Sequence, residues 1–475
     1  MKTRIARALP AAGAAALLCL FTALGGAASA ATNSGGVKGS PQPELKPFTI
    51  GKSNNPGSVA IEPNGGLVVA YGVSTSNGDG ATAVCLLDRG GHACSTRVTL
   101  HPLSGDEQFG PSEVFIPSAN HVDVVQSACC DDSADGGNLL WTSTNGGKTF
   151  TPVRIGSTSM SAAALVGGDI VFTGGDSGSG TQVESIPAVG ATGPPATTAN
   201  PISVAVYNVG VGSYRNGALI AANDENDATH VAYAAAGKNF DATSSYANVG
   251  TFPHETLVGI SGDALLTEKT TGNESLELRI FNGKSFGPAH TVPDTAGGGP
   301  EWFAIDTDPS GRVHVFNEST HLAVTYDLYE ESTSTGATWS APVNLGNAVD
   351  STYFGVALDR NGSGLVLGTG PAIGYPVLAA QNVSFTLSKS SISKGAAVTG
   401  SGKGSAPSKG RLIELQQLRS GEWYTIASTH ESASGSFSFT IKGSSGGTFT
   451  YRAVASDWAG YVQYGYSASR SLKVS

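Results

Sequence analysis

A short acidic loop in the first third of the chain has the spacing of an oxygen-rich cation site. Asp131, Ser133 and Asp135 stand at alternate positions, and Gly136 follows them. Calcium loops alternate their oxygen ligands in this way and place glycine where the chain turns sharply, so the segment predicts a calcium site. Thr142 stands at the twelfth position, where an EF-hand has glutamate. A solvated turn rich in aspartate and glycine is therefore an equal alternative.

The residues that follow this loop form a pattern that recurs along the chain. Residues 141–156 read WTSTNGGKTFTPVRIG, two strands around a polar turn with adjacent glycines, which predicts a β-hairpin. The pattern returns at residues 332–346 as STSTGATWSAPVNLG, and in weaker form at residues 282–293 and 237–240. Repetition of one strand-turn-strand unit indicates a repeat architecture, which would position the loop.

Both complete copies resemble the Asp-box repeat, S-x-D-x-G-x-T-W, of sialidases and many other secreted β-propellers. In the first copy the matching residues are Ser143, Gly147 and Thr149, with Asn145 in place of the aspartate and Phe150 in place of the tryptophan. In the second copy the matching residues are Ser332, Gly336, Thr338 and Trp339, with Ser334 in place of the aspartate. In that family the box is a structural turn on the face away from the active site. The resemblance therefore implies a β-propeller fold and leaves the chemistry open.

The chain from residue 47 to residue 381 divides into units of four short strands, and first strands recur about every 40–55 residues, as propeller blades do. The predicted starts are Ser58, Ser112, Ser161, Tyr214, Glu255, Trp302 and Tyr353. This spacing predicts seven blades. The last has only three strands, and residues 47–50, PFTI, are predicted to complete it and close the ring. Residues 187–201 fit the pattern least, and six blades remain if they form only a loop.

Beyond residue 381 the pattern changes to about seven alternating strands separated by Gly- and Ser-rich turns, and residues 382–475 resemble a bacterial immunoglobulin-like β-sandwich. We expect this domain to act as a spacer or a weak adhesive, and a dedicated ligand site is the alternative. The sequence thus predicts an all-β protein, with a flexible segment at residues 31–46, a propeller at residues 47–381 and a sandwich at residues 382–475.

The first 30 residues have the features of a secretory signal peptide. Lys2, Arg4 and Arg7 precede an apolar run, and residues 28–30, Ala-Ser-Ala, are a small-residue cleavage site. The run is short and interrupted by glycine, which disfavours a membrane anchor. We therefore predict export to an extracellular or cell-wall-associated location, with no membrane span. The composition, with 64 glycines and 13% charged residues, suits a secreted β-protein, and we expect a monomer.

Removal of the signal peptide takes away three positive charges, so the formal net charge changes from −10 to −13. A field of this sign argues against nucleic acid or anionic lipid as the main partner.

Four cysteines remain after that cleavage, and an exported protein is expected to oxidise them. Cys85 and Cys94 flank a Gly-containing turn and are predicted to bond across a hairpin. Cys129 and Cys130 would then form a bond between neighbours, which closes a small strained ring. In the alternative, Cys85 and Cys94 each bond one member of the adjacent pair.

In Asp-box propellers, the loops between second and third strands and the loops between blades meet at the functional mouth. The resemblance implies an acidic mouth here, because carboxylates dominate both sets of loops. The inner loops contribute Asp79, Asp131, Asp132, Asp135, Asp176, Asp224, Glu225, Asp227, Glu268, Glu274 and Glu318. The loops between blades contribute Asp106, Glu107, His254, Glu255, Asp294, Glu301, Trp302, Asp350 and Tyr353.

These features favour a binding protein over a sialidase. Sialidases hold the substrate carboxylate with three arginines, one in an Arg-Ile-Pro motif that this chain lacks, and an acidic mouth would repel that substrate. We interpret the chain as a secreted non-catalytic propeller for an extracellular glycan, peptide or partner protein, with calcium in its mouth if the acidic loop binds it. The predicted binding residues are Trp302, Tyr353, Phe109 and His254.

The alternative is a glycoside hydrolase of sialidase-like fold. Glycoside hydrolysis needs two carboxyl groups at a suitable separation, one of which acts as a general acid. The candidates are Asp224, Glu255 and Glu301, with Trp302 as a platform for the sugar ring. Nothing in the sequence marks two of these carboxyl groups as a pair, since acidic turns are common in an acidic secreted protein.

Overall fold

The computed structural model describes residues 30–31, 37–38, 47–53, 55–74, 80–88, 91–101, 103, 108–129, 138–156, 160–176, 180–194, 197–271, 275–293, 302–321, 325–348, 354–359, 362–368, 371–377, 382–404, 411–455 and 465–475. Most of the predicted signal peptide lies outside these ranges. The regular structure within them is β-strand, apart from one 3-10 turn at Thr243–Ser245. No helix of the described chain has the length and apolar character needed to cross a membrane.

Seven sheets of antiparallel strands precede residue 381 in the described chain. The first strands of the chain are β1 (Ala30–Ala31), β2 (Val37–Lys38) and β3 (Phe48–Lys52). The first sheet has β4 (Asn55–Ile61), β5 (Leu67–Ser74), β6 (Gly80–Leu87) and β7 (Thr96–Leu100). The second has β8 (Gln108–Ser118), β9 (His121–Cys129), β10 (Asn138–Ser143) and β11 (Thr151–Gly156), and the third has β12 (Ala162–Val166), β13 (Asp169–Asp176) and β14 (Gly180–Pro187).

The remaining four sheets repeat the same order. The fourth has β15 (Val206–Tyr214), β16 (Gly217–Asp224), β17 (Thr229–Ala234) and β18 (Tyr246–Phe252). The fifth has β19 (Glu255–Ser261), β20 (Ala264–Lys269), β21 (Ser275–Ile280) and β22 (His290–Thr291). The sixth has β23 (Trp302–Thr307), β24 (Val313–His321), β25 (Thr325–Thr333) and β26 (Val343–Ala348), and the seventh has β27 (Phe354–Leu358), β28 (Gly364–Gly368) and β29 (Pro371–Val377).

The sheets are arranged in a closed ring. The first strand of each sheet packs beside the first strand of the next, and β27 of the seventh sheet packs beside β4 of the first. Strand β3, from the start of the chain, pairs with β29, with Thr49 opposite Ile373. This pairing confirms the prediction that residues 47–50 complete the last sheet. Small sheets arranged radially and closed in this way form a β-propeller.

The sheets are apolar on both faces because each is covered by two neighbours. In β5, Leu67, Val69 and Tyr71 pack in the cluster shared with the seventh sheet. The alternating residues Val68 and Ala70 pack in the cluster shared with the second sheet. Since strand side chains alternate between faces, an uninterrupted apolar run serves two interfaces at once.

The third sheet has three regular strands, and the Pro-rich residues that follow occupy its outer edge. Ala199 forms an isolated antiparallel bridge with Val183 of β14, and Thr181 N donates to Ile202 O (2.9 Å). Prolines have no backbone N–H to donate, which explains why this edge does not form a continuous ladder.

The predicted start of the fourth sheet is wrong by one strand. Tyr214 ends the first strand, β15, and does not begin it. Arg215 and Asn216 have φ of 48° and 65° and form the tight turn into β16. The apolar run after this turn is therefore a second strand, because the first strand is interrupted by exposed residues and looks like a loop in the sequence.

The two hairpins that resemble Asp boxes form compact turns between third and fourth strands. In the first, Gly147 N donates to Ser143 Oγ (2.9 Å) and Thr149 N donates to Asn145 Oδ1 (3.0 Å). Asn145 therefore supplies an acceptor from the position where the pattern has aspartate. Gly147 has a φ of 77°, in the left-handed region that favours glycine.

In the second hairpin, the hydroxyl group that accepts from the turn glycine lies one residue later in the pattern. Thr333, rather than Ser332, accepts the hydrogen bond from Gly336 N (2.9 Å), and its hydroxyl donates to Thr338 O (2.7 Å). Ser332 N instead donates to Ser340 Oγ (2.9 Å).

The predicted hairpin disulfide is present. Cys85 on β6 bonds Cys94 with an S–S distance of 2.06 Å and a Cα–Cα distance of 5.3 Å. This confirms one of the two pairings that the sequence left open. Cys130 lies outside the described residues.

Residues 382–475, together with β1 and β2 from the start of the chain, form two packed sheets. The remaining strands are β30 (Val383–Leu387), β31 (Ser391–Ile392), β32 (Ala397–Gly404), β33 (Leu412–Arg419), β34 (Glu422–His430), β35 (Ser436–Lys442), β36 (Gly447–Ala455), β37 (Gly465–Tyr466) and β38 (Arg470–Val474). One sheet has the order β1-β35-β32-β30, and the other has the order β2-β34-β33-β36-β38-β31, with β37 beside β36. Their inner faces share one apolar core, which includes Phe385 and Phe439 from the first sheet and Ile413 and Leu472 from the second.

Candidate functional site

The predicted mouth is described mainly in one sector, at the fourth and fifth sheets. Here residues 225–228 join β16 to β17, and residues 253–254 join β18 to β19. The other predicted site residues fall into two groups. Outside the described residues lie Asp79, Asp106, Glu107, Cys130, Asp131, Asp132, Ser133, Asp135, Glu274, Asp294, Glu301, Asp350 and Tyr353. Only the backbone is described for Phe109 on β8, Cys129 on β9, Asp176 on β13, Trp302 on β23 and Glu318 on β24.

Asp224, at the end of β16, anchors the loop of this sector. Its Oδ1 accepts hydrogen bonds from Asn226 N (2.8 Å) and Ala228 N (3.0 Å), and its Oδ2 lies 2.9 Å from His230 Nε2. Burial would raise the pKa of Asp224, but the hydrogen bonds from His230 and the two backbone N–H groups together hold that pKa below its ordinary value. Asp224 is therefore an ionised carboxylate and a poor proton donor.

Tyr207 presents an aromatic ring at the same end of the ring of sheets. It lies near the start of β15, and 55% of its surface is exposed. Its hydroxyl donates to Asp227 Oδ1 (3.0 Å) and accepts from Asn223 Nδ2 (3.3 Å). Asn223 is fully buried, and its Oδ1 accepts from Leu257 N (2.6 Å) on β19. The exposed ring is thus fixed by a buried amide that spans two sheets.

The phenol of Tyr207 is held in its neutral form. Partial burial raises the pKa of Tyr207, and Asp227 raises it further, although the hydrogen bond from Asn223 opposes them. A neutral phenol is a hydrogen-bonding and stacking group and a weak nucleophile. The geometry therefore suits contact with a ligand better than attack on one.

Two residues of the sector adopt left-handed backbone conformations. Asp227 has a φ of 55° and His254 a φ of 62°. Their carbonyl groups accept hydrogen bonds from Glu255 N and Thr270 N, each 2.9 Å long. His254, a predicted binding residue, is exposed beside this loop. Non-glycine residues in this region of φ are uncommon and often mark functional loops.

Glu255 lies in the sector but is committed to an ion pair. Its carboxylate binds the guanidinium of Arg279 in a bidentate manner, with the second contact 2.8 Å long, and Thr267 Oγ1 donates to it (2.7 Å). The guanidinium lies 4.5 Å from the ring centre of Phe252 on β18. This arrangement joins the fourth and fifth sheets and leaves the Glu255 carboxylate few free lone pairs for a substrate.

The structure therefore brings Asp224, Glu255 and His254 into one sector, together with residues that the sequence analysis did not single out. These are Tyr207, Asn223, His230 and Arg279. Tyr207 was missed because the first strand of the fourth sheet was predicted to begin at Tyr214, after Tyr207. Arg279 lies on β21, and its long side chain reaches Glu255 on β19 across β20.

Two carboxyl groups on inner strands have raised pKa values. Burial raises the pKa of Glu113 on β8 to about 7, although a hydrogen bond with Ser58 opposes this. Burial likewise raises the pKa of Asp306 on β23 to about 6, against hydrogen bonds with Ser261 and the Thr307 backbone. Carboxyl groups with such values exchange protons near neutral pH, as general acids do. Asp306 lies next to the turns at the opposite end from the mouth.

A cleft of about 560 Å³ lies among the turns of the first two sheets, at the end that carries the hairpin turns, and its lining includes Glu62, Asp88, Asn120 and Lys148. No three His, Cys, Asp or Glu side chains of the described chain are grouped as a metal site would require. The predicted calcium loop of Asp131, Ser133 and Asp135 lies outside the described residues.

No family model matches this chain, and no curated protein matches it either. Among solved structures, it is similar to an α-L-arabinofuranosidase from Clostridium thermocellum at 11% identity, over 51% of this chain and 95% of that one, with a TM-score of 0.27. It is similar to AofleA from Arthrobotrys oligospora at 11% identity, over 87% and 95%, with a TM-score of 0.33.

A sialidase from Trypanosoma rangeli is similar at 10% identity, over 72% of this chain and 58% of that one, with a TM-score of 0.34. These scores are all below 0.5. The propeller assignment rests on the sheet order and the closed ring, and these similarities assign no activity to the chain.

Proposed function

We propose that the protein binds a neutral or positively charged extracellular ligand at the mouth of its propeller. The ligand is a glycan, a peptide or a partner protein, and the protein does not catalyse a reaction of this ligand. The exposed ring of Tyr207, fixed by Asn223 and Asp227, is the observation that carries this proposal. A ring that is already ordered loses little conformational entropy on binding, and its face attracts cations and apolar surfaces. The carboxylates beside it select against anionic ligands.

Replacement of Tyr207 tests this function. We expect Tyr207→Ala to weaken binding to arrays of neutral glycans and of lysine-containing peptides by roughly tenfold, because the stacking surface is lost. Tyr466→Ala is the matched control, since Tyr466 is 43% exposed but lies on the C-terminal sandwich. Equal binding by the two variants would show that the mouth sector around Tyr207 is not the ligand site.

Several features complete this proposal. We infer that the seven sheets are seven propeller blades, that the C-terminal sandwich is immunoglobulin-like, and that the mature protein is an exported monomer. The ring order of the sheets supports the blade count, and the disulfide is in keeping with an oxidising compartment. The vicinal bond between Cys129 and Cys130 remains part of the hypothesis for the mouth.

Calcium in the loop of Asp131, Ser133 and Asp135 also belongs to the proposal. A cation that binds only the folded protein raises its unfolding temperature by mass action. We expect calcium to raise that temperature relative to EDTA, and the Asp131→Ala/Asp135→Ala variant to abolish the difference. No shift at millimolar calcium would exclude the metal, while leaving the Tyr207 contact to be judged by its own test.

A glycoside hydrolase is the second candidate, and the raised pKa of Glu113 favours it. A carboxyl group with a pKa of about 7 on an inner strand is protonated often enough at neutral pH to act as a general acid. Asp224, which stays ionised, is a candidate for the second carboxylate. Glu301 remains a candidate from the sequence, and Glu255 is a weaker one because Arg279 engages it.

Turnover separates the two candidates. If the protein is a hydrolase, Glu113→Gln abolishes the release of sugar from neutral glycosides while binding to the same compounds persists. If it is a binding protein, neither the wild type nor this variant releases sugar, and both bind equally.

A further inference from the structure

The two parts of this molecule carry opposite net charges. Residues 382–475 contain ten lysines and arginines against four aspartates and glutamates, a formal charge of +6. Residues 31–381 contain 14 against 33, a formal charge of −19. The net charge of the mature chain therefore conceals a basic domain attached to an acidic one, and the two domains attract different partners.

Four lysines of the basic domain lie on adjoining segments at one edge of the sandwich. Lys473 N on β38 donates to Ser390 O (2.9 Å), next to Lys389, and Lys394 N donates to Ser475 O (2.7 Å). Gly395 N donates to Gly443 O (2.7 Å), which brings Lys394 beside Lys442 at the end of β35. All four side chains are exposed. We call Lys389, Lys394, Lys442 and Lys473 the lysine cluster.

The described glutamate side chains of the sandwich lie away from the lysine cluster, and the carboxyl group within the cluster is that of Ser475, the last residue of this chain. Glu431 is buried against Arg411, with an N–O distance of 2.6 Å. Glu414 lies on β33 and Glu422 on β34, two and three strands away from β38 in the sheet order. The ammonium groups of the cluster are thus not neutralised by these carboxylates, and their positive potentials add.

The surroundings of the cluster suit a hydrated polymer better than a lipid bilayer. The neighbouring exposed residues are hydroxyl-bearing, as at Ser388, Ser390 and Ser393. The large exposed apolar side chains of the described sandwich are Leu418 and Tyr466, on β33 and β37. Binding at a bilayer interface is strengthened by apolar groups that insert beside the basic ones, and this edge has none among its described residues.

We propose that the lysine cluster binds an anionic extracellular polysaccharide and so attaches the protein through its sandwich. Lysine ammonium groups act as compact charges without the planar geometry of arginine, so they bind carboxylate and phosphate substituents alike. Serine hydroxyls beside them match the hydroxyl groups of a sugar chain. The acidic propeller is repelled by the same polymer, which leaves its mouth directed away and free for another ligand.

Binding of the full mature protein to immobilised polygalacturonate tests the proposal, with a phosphate-bearing mannan as the second probe and dextran as the neutral one. We expect binding to the two anionic polymers, none to dextran, and a loss of affinity as salt rises from 50 to 200 mM, because salt screens exposed charges. The variant K389Q/K394Q/K442Q/K473Q is expected to bind at least about tenfold more weakly.

The matched control is K52Q/K148Q/K238Q/K284Q, which removes the same charge from exposed lysines of the propeller and should bind as the wild type does. A difference between the two probes would identify the preferred anionic group and support the proposal. Equal weakening by both variants, or no binding to either anionic polymer, would overturn it. Binding to phosphatidylglycerol vesicles or duplex DNA alone would also overturn it, in favour of those partners.

Discussion

The propeller and the sandwich use their ion pairs in different ways. At the mouth of the propeller, Glu255 and Arg279 keep 13% and 11% of their side-chain surfaces exposed and share contacts with Thr267 and Phe252. In the sandwich, Arg411 and Glu431 have no exposed side-chain surface. The first pair remains in contact with water, where a ligand can reach its surroundings. The second pair is enclosed in the interior of the sandwich, where a ligand cannot reach it.

The same contrast holds for surface charge. The propeller is acidic and has a polar network around Asp224 and Tyr207, whereas the sandwich is basic and presents its lysines at an edge. Whole-chain charge gives a misleading view of such a molecule, because −13 is the sum of −19 on residues 31–381 and +6 on residues 382–475. The difference teaches that partners must be inferred separately for each domain.

The buried pair of the sandwich provides the largest expected effect. In Glu431→Gln, the charge of Arg411 remains buried without its counter-charge, which should cost about 3–5 kcal/mol in the free energy of unfolding. Calorimetry of the full protein should show the sandwich transition at a much lower temperature and the propeller transition unchanged. The control is Glu422→Gln, an exposed glutamate of the same domain.

A double variant sharpens this prediction. Replacement of both partners by apolar residues, Arg411→Met/Glu431→Leu, should restore most of the stability, because no uncompensated charge remains. If the single variant loses less than 1 kcal/mol, the pair is not isolated from water as its burial implies.

The stability of the propeller depends on the closure of its ring of sheets by β3. Ile50 on β3 is buried between the seventh and first sheets, so Ile50→Ala should destabilise the propeller by about 2–4 kcal/mol and leave the sandwich unaffected. Chemical unfolding of the full protein, with the propeller and sandwich transitions followed separately, would measure this loss. Val343→Ala, at a position 38% exposed, is the control and should change little. A loss confined to the sandwich would contradict the closure of the ring by β3.

Much of the propeller could be predicted from the sequence, for physical reasons. Uniform apolar strands, turn residues and the hairpin repeat are local signals, and the prediction that residues 47–50 complete the last blade anticipated the pairing of β3 with β29. The first strand of the fourth sheet was missed because two consecutive exposed residues, Tyr207 and Asn208, and the glycines at 210 and 212 interrupt its apolar pattern.

The site was less accessible to sequence reasoning. Asp224 was predicted to lie in a loop between strands and lies at the end of β16, although the first strand of its sheet was predicted wrongly. Its partnership with His230, and that of Glu255 with Arg279, depend on side chains meeting across neighbouring strands or sheets. The basic character of the sandwich was already present in the composition, but it becomes visible only when the charges are counted domain by domain.

The mouth ion pair should tolerate disruption better than the sandwich pair. Glu255→Gln leaves Arg279 partly hydrated and still stacked on Phe252, so the propeller should lose about 1–3 kcal/mol, less than the sandwich loses in Glu431→Gln. Thermal unfolding of both variants makes the comparison directly, with Glu225→Gln as an exposed control in the same sector. Equal losses in the two domains would remove the distinction between an accessible and an isolated pair.

A further expected effect concerns the pH dependence of the propeller. Burial raises the pKa of Glu113 from 4.5 to about 7, so the folded protein retains a proton that the unfolded chain releases within this range. Stability from this group is therefore present below pH 4.5 and is lost as the pH rises through 7.

In Glu113→Gln the group no longer titrates, and the fall in propeller unfolding temperature between pH 5 and pH 8 should be smaller than in the wild type. Glu62→Gln, at a partly exposed position, should retain the full dependence. The sandwich transition should not respond to either variant, because Glu113 belongs to the propeller ring alone. An unchanged dependence in Glu113→Gln would mean that Glu113 is ionised in the folded protein, and it would remove the observation that favours a hydrolase over a binding protein.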